Sequence, residues 1–468
     1  MCFLGGFVTL LDVSIVNVAL PSIQGALSVG ATQLQLIIAG YTLAFGLALV
    51  PSGRLGDARG RRRMFMIAMM GFGLMSLFAG LAQTDTQLAI FRLLQGACAG
   101  MSNPQVSGMI QQMFRGKERA KAFGFFGGII GVSTALGPLL GGLIIAIAGP
   151  AVGWRWVFFI NVPIIAVVMP FARKLLPGPP PDAGATTRLD VVGLILIALG
   201  TATFMTPFVT TPDTGFFDVP ERWFWLVPAV ALLPATFFWE RSYQRKYHAA
   251  VLNPGLLRTP SYVFGAALGA AWFAGFTALM LVLTMTLQNG LAYTALLAGL
   301  VQLPNAVASA ITSSTAGRMV PRFGRRLVVG GISTYLVGLV VVIMILRWAP
   351  QDVIGWALAA TLLLMGTGGG WVISPNQALT YQDVPPKYGS VAGAVMQVGQ
   401  RVGTAVGMAI VLAVYLSAYS SQIATLGKAE SARLAGSMAL IVSACFVTVA
   451  LIIGLLDARR RGTAVTFR

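Results

Sequence analysis

The sequence predicts an all-α membrane protein: two six-helix bundles with two further helices inserted between them, fourteen transmembrane helices in all. Three observations predict it. First, 56% of the 468 residues are apolar and only 10% are charged, with a mean hydropathy of +0.80; a soluble chain would carry about a quarter charged residues. Second, the charges gather in short clusters between apolar runs, each near the roughly 20 residues that a bilayer crossing needs. Third, "GRLGDARGRR" (53–62) returns as "GRMVPRFGRR" (317–326), 264 residues and eight helices later. Two equivalent six-helix bundles would place the copies six helices apart, so two extra helices must intervene. The second copy has Pro321 where the first has Asp57.

The helices follow from the breaks between apolar runs. The first (2–24) has almost no flank before it and no basic n-region. No cleavable signal peptide is therefore read there, which leaves room for a short missing arm before Met1. The second (33–53) stops at the arginine cluster 54–63, and the third (64–82) at the polar stretch before Asp85. The fourth (86–113) ends at a basic cluster, the fifth (121–148) at Gly149-Pro150, and the sixth (156–172) at Arg173-Lys174. The inserted pair, 189–210 and 222–240, brackets a Thr/Pro/Gly-rich loop. The second bundle runs 260–288, 292–316, 327–347, 353–378, 390–418 and 432–456. The domains are thus 1–172, a linker 173–258 carrying the insert, 259–456, and a tail 457–468.

Of the 32 Lys and Arg, 25 fall in one set of alternate loops with the C-terminal tail, 5 in the opposite set, and Arg92 and Arg401 inside spans. By the positive-inside rule the rich side is cytoplasmic, with both termini there. The net charge of +18 does not point to nucleic acid, because the basic residues lie between apolar runs and not on a soluble face. The three cysteines have no metal-ligand spacing, and the single histidine, His248, lies in a basic loop, so neither a metal site nor a Ser-His-Asp triad is expected. "GTGGGW" (366–371) lacks the Lys and Ser/Thr of a P-loop, so ATP is not the fuel. No cofactor is expected.

Asp12 is the only acid deep in a span, and Arg92 the only base deep in the first bundle. A carboxylate at mid-membrane costs about 2.5–3.5 kcal/mol on insertion scales. The pair reads either as a structural ion pair or as a proton site whose affinity changes as the two groups move. Arg401 has no acid in its own bundle. It bonds backbone carbonyls or a neighbouring helix end, or it meets an anionic group of a substrate; it argues against a cavity built only for cations. The cavity candidates are Asn17, Tyr41, Gln95, Asn103, Gln302, Asn305, Trp371, Asn376, Gln397 and Gln400, although isolated amides often only bond across helices. Gly127/Gly131 and Gly137/Gly141 have the small-xxx-small spacing of close helix packing, with Pro138 expected to kink that helix.

Six stretches carry a family resemblance over nearly the whole chain. The 53–62 segment resembles G-x-L-a-D-x-x-G-R-[KR] at Gly53, Leu55, Gly56, Asp57, Gly60, Arg61 and Arg62. "LDVSIVNVALP" (11–21), "RLLQG" (92–96), "GVSTALGPLLGG" (131–142), "WRWVFFINVP" (154–163) and "QRVGTAVG" (400–407) follow in order. Together they resemble the fourteen-spanner drug:proton antiporters of the major facilitator superfamily. The resemblance implies a latch at Asp57 with Arg61 and Arg62, formed when the cytoplasmic side is closed. It also implies a hinge between the bundles at Gly131, Gly137, Pro138, Gly141 and Gly142, typical of exporters. The expectation is a monomeric, multi-pass inner (plasma) membrane protein. It would export hydrophobic or amphiphilic small molecules, such as drugs, against an entering proton. The alternative is a dedicated exporter of one endogenous metabolite, lipid or siderophore; an importer, or a membrane enzyme or receptor, fits the motifs less well.

Overall fold

The computed structural model describes residues 2–27, 31–178, 190–209, 220–247, 256, 258–385 and 388–461, and nearly all of them are helical. The helices are α1 (Cys2–Leu27), α2 (Ala31–Arg59), α3 (Arg61–Leu81), α4 (Asp85–Met113), α5 (Gly116–Ala148), α6 (Pro150–Phe159), α7 (Asn161–Leu175), α8 (Val191–Val209) and α9 (Leu226–Tyr247). They continue as α10 (Pro260–Met285), α11 (Ala295–Phe323), α12 (Arg325–Trp348), α13 (Ile354–Thr380) and α14 (Gly389–Arg461). Each stretch expected to be helical overlaps one or two of these. The sixth is divided between α6 and α7, while the last two are fused in α14 across Gly427, at φ 76°. By length and apolarity, seven helices among the described residues can cross a bilayer, or eight if the 44° bend in α1 is counted within one span.

The expected loop 54–63 is mostly helix. α2 runs on to Arg59, and only Gly60, at φ 100°, separates it from α3. Gly324, at φ 52°, does the same between α11 and α12. A left-handed glycine ends a helix without a loop, so the arginines sit on helix ends and not on a flexible segment.

α1 to α7 pack among themselves, as do α10 to α14. Close backbone approach holds each group together. A Cβ on Gly96 or Gly100 of α4 would fall on the backbone of Tyr41 or Phe45 in α2. In the second group Gly366 and Gly370 of α13 meet Asn305 and Ser309 of α11 in the same way. A second seam is also repeated: Gly137 and Gly141 of α5 lie on α1, and Gly403 and Gly407 of α14 lie on Ala270 and Ala274 of α10. In lipid there is no hydrophobic drive between helices, so such small-residue seams supply the packing. α8 pairs with α9 and lies against both α2 and α14, beside the junction of the two groups. Asn17 and Pro138 have side chains outside the described set, and His248, Lys387 and residues 462–468 lie outside the described residues.

Candidate transport site and gate

Asp12, fully buried on α1, is held by donors from two other helices, α4 and α7. Arg92 Nη1 of α4 donates to its Oδ2 at 2.7 Å. Gln95 Nε2, one turn further along α4, donates to Oδ1 at 2.9 Å, and Asn161 Nδ2, the first residue of α7, donates to the same oxygen at 2.8 Å. Asn161 also reaches Ser76 Oγ of α3, whose hydroxyl donates to the Phe158 carbonyl. The Arg92 guanidinium lies 4.1 Å from the centroid of the Tyr41 ring. The flexible arginine thus closes the axial gap to Asp12. Arg92 Nη1 also donates to Gln95 Oε1 at 2.9 Å, so the donors are tied to one another as well as to Asp12.

Asp57 ends α2 beyond the apolar span. Its Oδ1 accepts from Arg61 Nε at 2.9 Å and from the Ser390 N–H at 3.3 Å; its Oδ2 accepts from the Val391 N–H at 3.1 Å. Those N–H groups belong to the first turn of α14, where they have no partner within the helix and the dipole favours an anion. Arg61 Nη1 also donates to the Gly108 carbonyl at 2.6 Å. Burial pushes the Asp57 carboxyl up, while Arg61 and the Ser390 and Val391 contacts oppose it. Desolvation outweighs these attractions, and the net shift is upward. Arg62 faces away and caps the Arg173 and Leu176 carbonyls at the end of α7.

The same basic end carries further contacts between the groups. A Cβ on Gly53 would strike the Ser390 carbonyl. Gln111 donates to the Gly389 carbonyl at 3.2 Å and Arg119 to the Gln382 carbonyl at 3.1 Å. Phe123 and Tyr381 meet at 5.5 Å between centroids. Gly124, Gly127, Gly128 and Gly131 of α5 press onto α11 from Gly317 back to Ala310. The protein is closed at its basic end.

Some expected site residues are placed elsewhere. Gly131 touches Ala310 across the seam, but Gly137 and Gly141 pack on α1 of their own group, and a Cβ on Gly142 would meet open space. The interface expected at all of them stops after Gly131 because α5 then turns its glycine face to α1. Gln95 is committed to Asp12, and Asn376 to Arg325 and the Gly265 carbonyl, so neither is a free cavity amide. Asn103 bonds Thr9 and the Ala99 carbonyl, Gln302 bonds Thr284 and Ala298, and the Tyr41 hydroxyl donates to the Thr9 carbonyl at 3.4 Å. Asn305 is buried with its Nδ2 unpartnered. Gln400 is buried, whereas Trp371 and Gln397 are half-buried.

Arg401, on the first arm of α14, reaches across to α2, its guanidinium 4.3 Å from the centroid of the Phe45 ring. Among the described residues it has neither an acid within ion-pair distance nor a hydrogen bond. A cation–π contact is worth about 0.5–2 kcal/mol, against about 2.5–3.5 kcal/mol for an arginine at the centre of a span. The ring alone does not offset the charge.

Sequence reasoning missed two features. Asn161 lay in a motif already singled out, but its role needed the fold. The other is a buried network in the second group: Arg325 Nε donates to Asp457 Oδ2 at 2.6 Å and its Nη1 to Asn376 Oδ1. Arg325 is the repeat counterpart of Arg61, and Gln112, the counterpart of Asn376, accepts from Arg61 at 3.4 Å. Pro321 removes the local acid, and Asp457 supplies it from the end of the last helix.

A family model described as Major Facilitator Superfamily matches residues 2–408. The chain belongs to the major facilitator superfamily. Membership makes it a membrane transporter and not an enzyme. Within the superfamily it is 32% identical over 393 residues to a probable actinorhodin transporter of Streptomyces coelicolor, covering 84% of this chain and 67% of that one. It is 34% identical over 399 residues to a puromycin resistance protein of Streptomyces alboniger, covering 83% and 76%. A multidrug resistance protein of Mycobacterium tuberculosis is 29% identical over 395 residues, covering 84% and 71%. Among solved structures, a proton:xylose symporter superposes with a TM-score of 0.67 at 14% identity, covering 96% of this chain and 93% of that one. At that identity the likeness shows the superfamily fold alone.

Proposed function

We propose that the chain is a proton-coupled efflux transporter that moves hydrophobic or amphiphilic small molecules, drugs or antibiotics among them, out of the cell by alternating access. Export is supported by relatives whose names record antibiotic transport or drug resistance. The single observation carrying proton coupling is the Asp12 node, a fully buried carboxylate midway along α1 that ties it to α4 and α7. Protonation cancels the charge that holds Arg92, so the three helices can shift; deprotonation restores the tie. On this reading the basic end is cytoplasmic, the chain crosses the plasma (inner) membrane fourteen times with both termini inside, and a monomer suffices. The proton gradient is the energy source, with no cofactor. Opening inward breaks the Asp57 bonds to α14 and loosens the α5–α11 seam.

The test is dye uptake into everted vesicles under an imposed pH gradient, for wild type and Asp12→Asn. Wild type should accumulate dye and stop with an uncoupler, and the variant should lose gradient dependence while still binding dye. A variant that stays fully proton-coupled sends the coupling site elsewhere.

A further inference from the structure

We infer that Arg401 recognises an acidic group on the cargo, so that the transporter favours amphiphiles carrying a single carboxylate or phenolate. The inference rests on the export reading above and narrows its substrate class.

Arg401 lies twelve residues into α14, roughly 18 Å along the helix from the basic end, at the depth where cargo would cross. Two other arginines inside the bundles have carboxylates: Arg92 has Asp12 and Arg325 has Asp457. Among the described residues Arg401 has none and makes no hydrogen bond, and its side chain is only half-buried. Its guanidinium lies over the Phe45 ring of the opposite bundle. Phe45 stacks on Tyr41 at 6.4 Å and 28°, and Tyr41 lies against Arg92. Arg92, Tyr41, Phe45 and Arg401 thus form a ladder across the junction of the bundles, two rings between two cations. Asp12 neutralises one end. The other end keeps an uncompensated positive charge beside an aromatic wall.

Gln397 adds a second observation. It lies one turn before Arg401 on the same helix face, is half-buried, and makes no side-chain hydrogen bond among the described residues. A forked guanidinium and an adjacent amide together match the two oxygens of a carboxylate. A cationic cargo would meet a like charge in a low-dielectric site.

The probes are a dialkylamino-coumarin carboxylic acid and its ethyl ester, which share one fluorescent body and differ in one negative charge, with rhodamine 6G as a cation. Binding to the purified protein is read by fluorescence polarisation. Wild type should bind the acid about tenfold or more tightly than the ester. Arg401→Gln should erase that difference and leave ester binding unchanged, and Arg401→Lys should keep part of it. In everted vesicles Arg401→Gln should lose uptake of the acid and keep that of the ester. Equal wild-type binding of acid and ester overturns the inference, as does an Arg401→Gln protein that binds the acid like wild type. Uptake of ester and rhodamine without the acid also overturns it, while leaving export intact. Acid binding through Arg401 with no dye moved in vesicles has the opposite meaning: the site stands and export falls.

Discussion

Arg92, Arg325 and Arg401 each carry a guanidinium into the interior, and only the first two find a carboxylate there. That difference separates their roles. Arg325 and Asp457 are each about 2% exposed, so removing one partner strands a buried charge, at about 3–5 kcal/mol. Asp457→Asn should therefore lower the thermal midpoint of the purified protein markedly, and a variant that melts like wild type would show the pair to be idle. At this scale the sequence was legible where charge is rare: Asp12, Arg92 and Arg401 stand out because an ionised group in a span is costly. It was illegible where the partner is neutral or distant. Nothing local marks Asn161 as a donor to a residue 149 positions earlier, nor Asp457 as the acid for Arg325. Gln95 and Asn376 look like cavity amides until their partners are known.

The helices were readable from apolar runs, and their ends less so, because Gly60 and Gly324 turn the chain in one residue and let the helices run through the charged clusters. Glycine spacing announced close packing without naming the neighbour. Gly137 and Gly141 face α1, whereas Gly124 to Gly131 face α11, since α5 presents different faces along its length. The seams make a paired prediction. Gly96→Val drives a branched side chain into the Tyr41 backbone and should cost more than about 2 kcal/mol, at the upper end for overpacking. Gly142→Ala meets open space and should leave the melting curve unmoved or slightly raised. Parallel melts of the two variants check both, and equal effects would refute the seam assignment.

Across the whole molecule, the closed basic end is a property of two bundles and not of either one. Asp57 belongs to the first, and the N–H groups it holds belong to the second. Closure buries the carboxyl and raises its pKa. On the alternating-access reading, opening would solvate the Asp57 carboxyl, so the closed form binds the proton more tightly than the open form. Lowering the pH favours closure, and raising it favours opening. Spin labels at Arg59 and Tyr388 should report more short distances near about pH 5 than near about pH 8. Asp57→Asn should remove that pH dependence and slow transport while the protein still folds; a pH response that survives the change assigns it to another group. The second half of the repeat has no such switch, since its arginine is tied within its own bundle. That tie also sets a timetable for synthesis. Arg325 emerges from the ribosome 132 residues before Asp457, so it waits at the basic end without its counter-ion. The second bundle can settle only when the last helix has been made, and a chain cut short before Asp457 keeps a buried charge that quality control can detect.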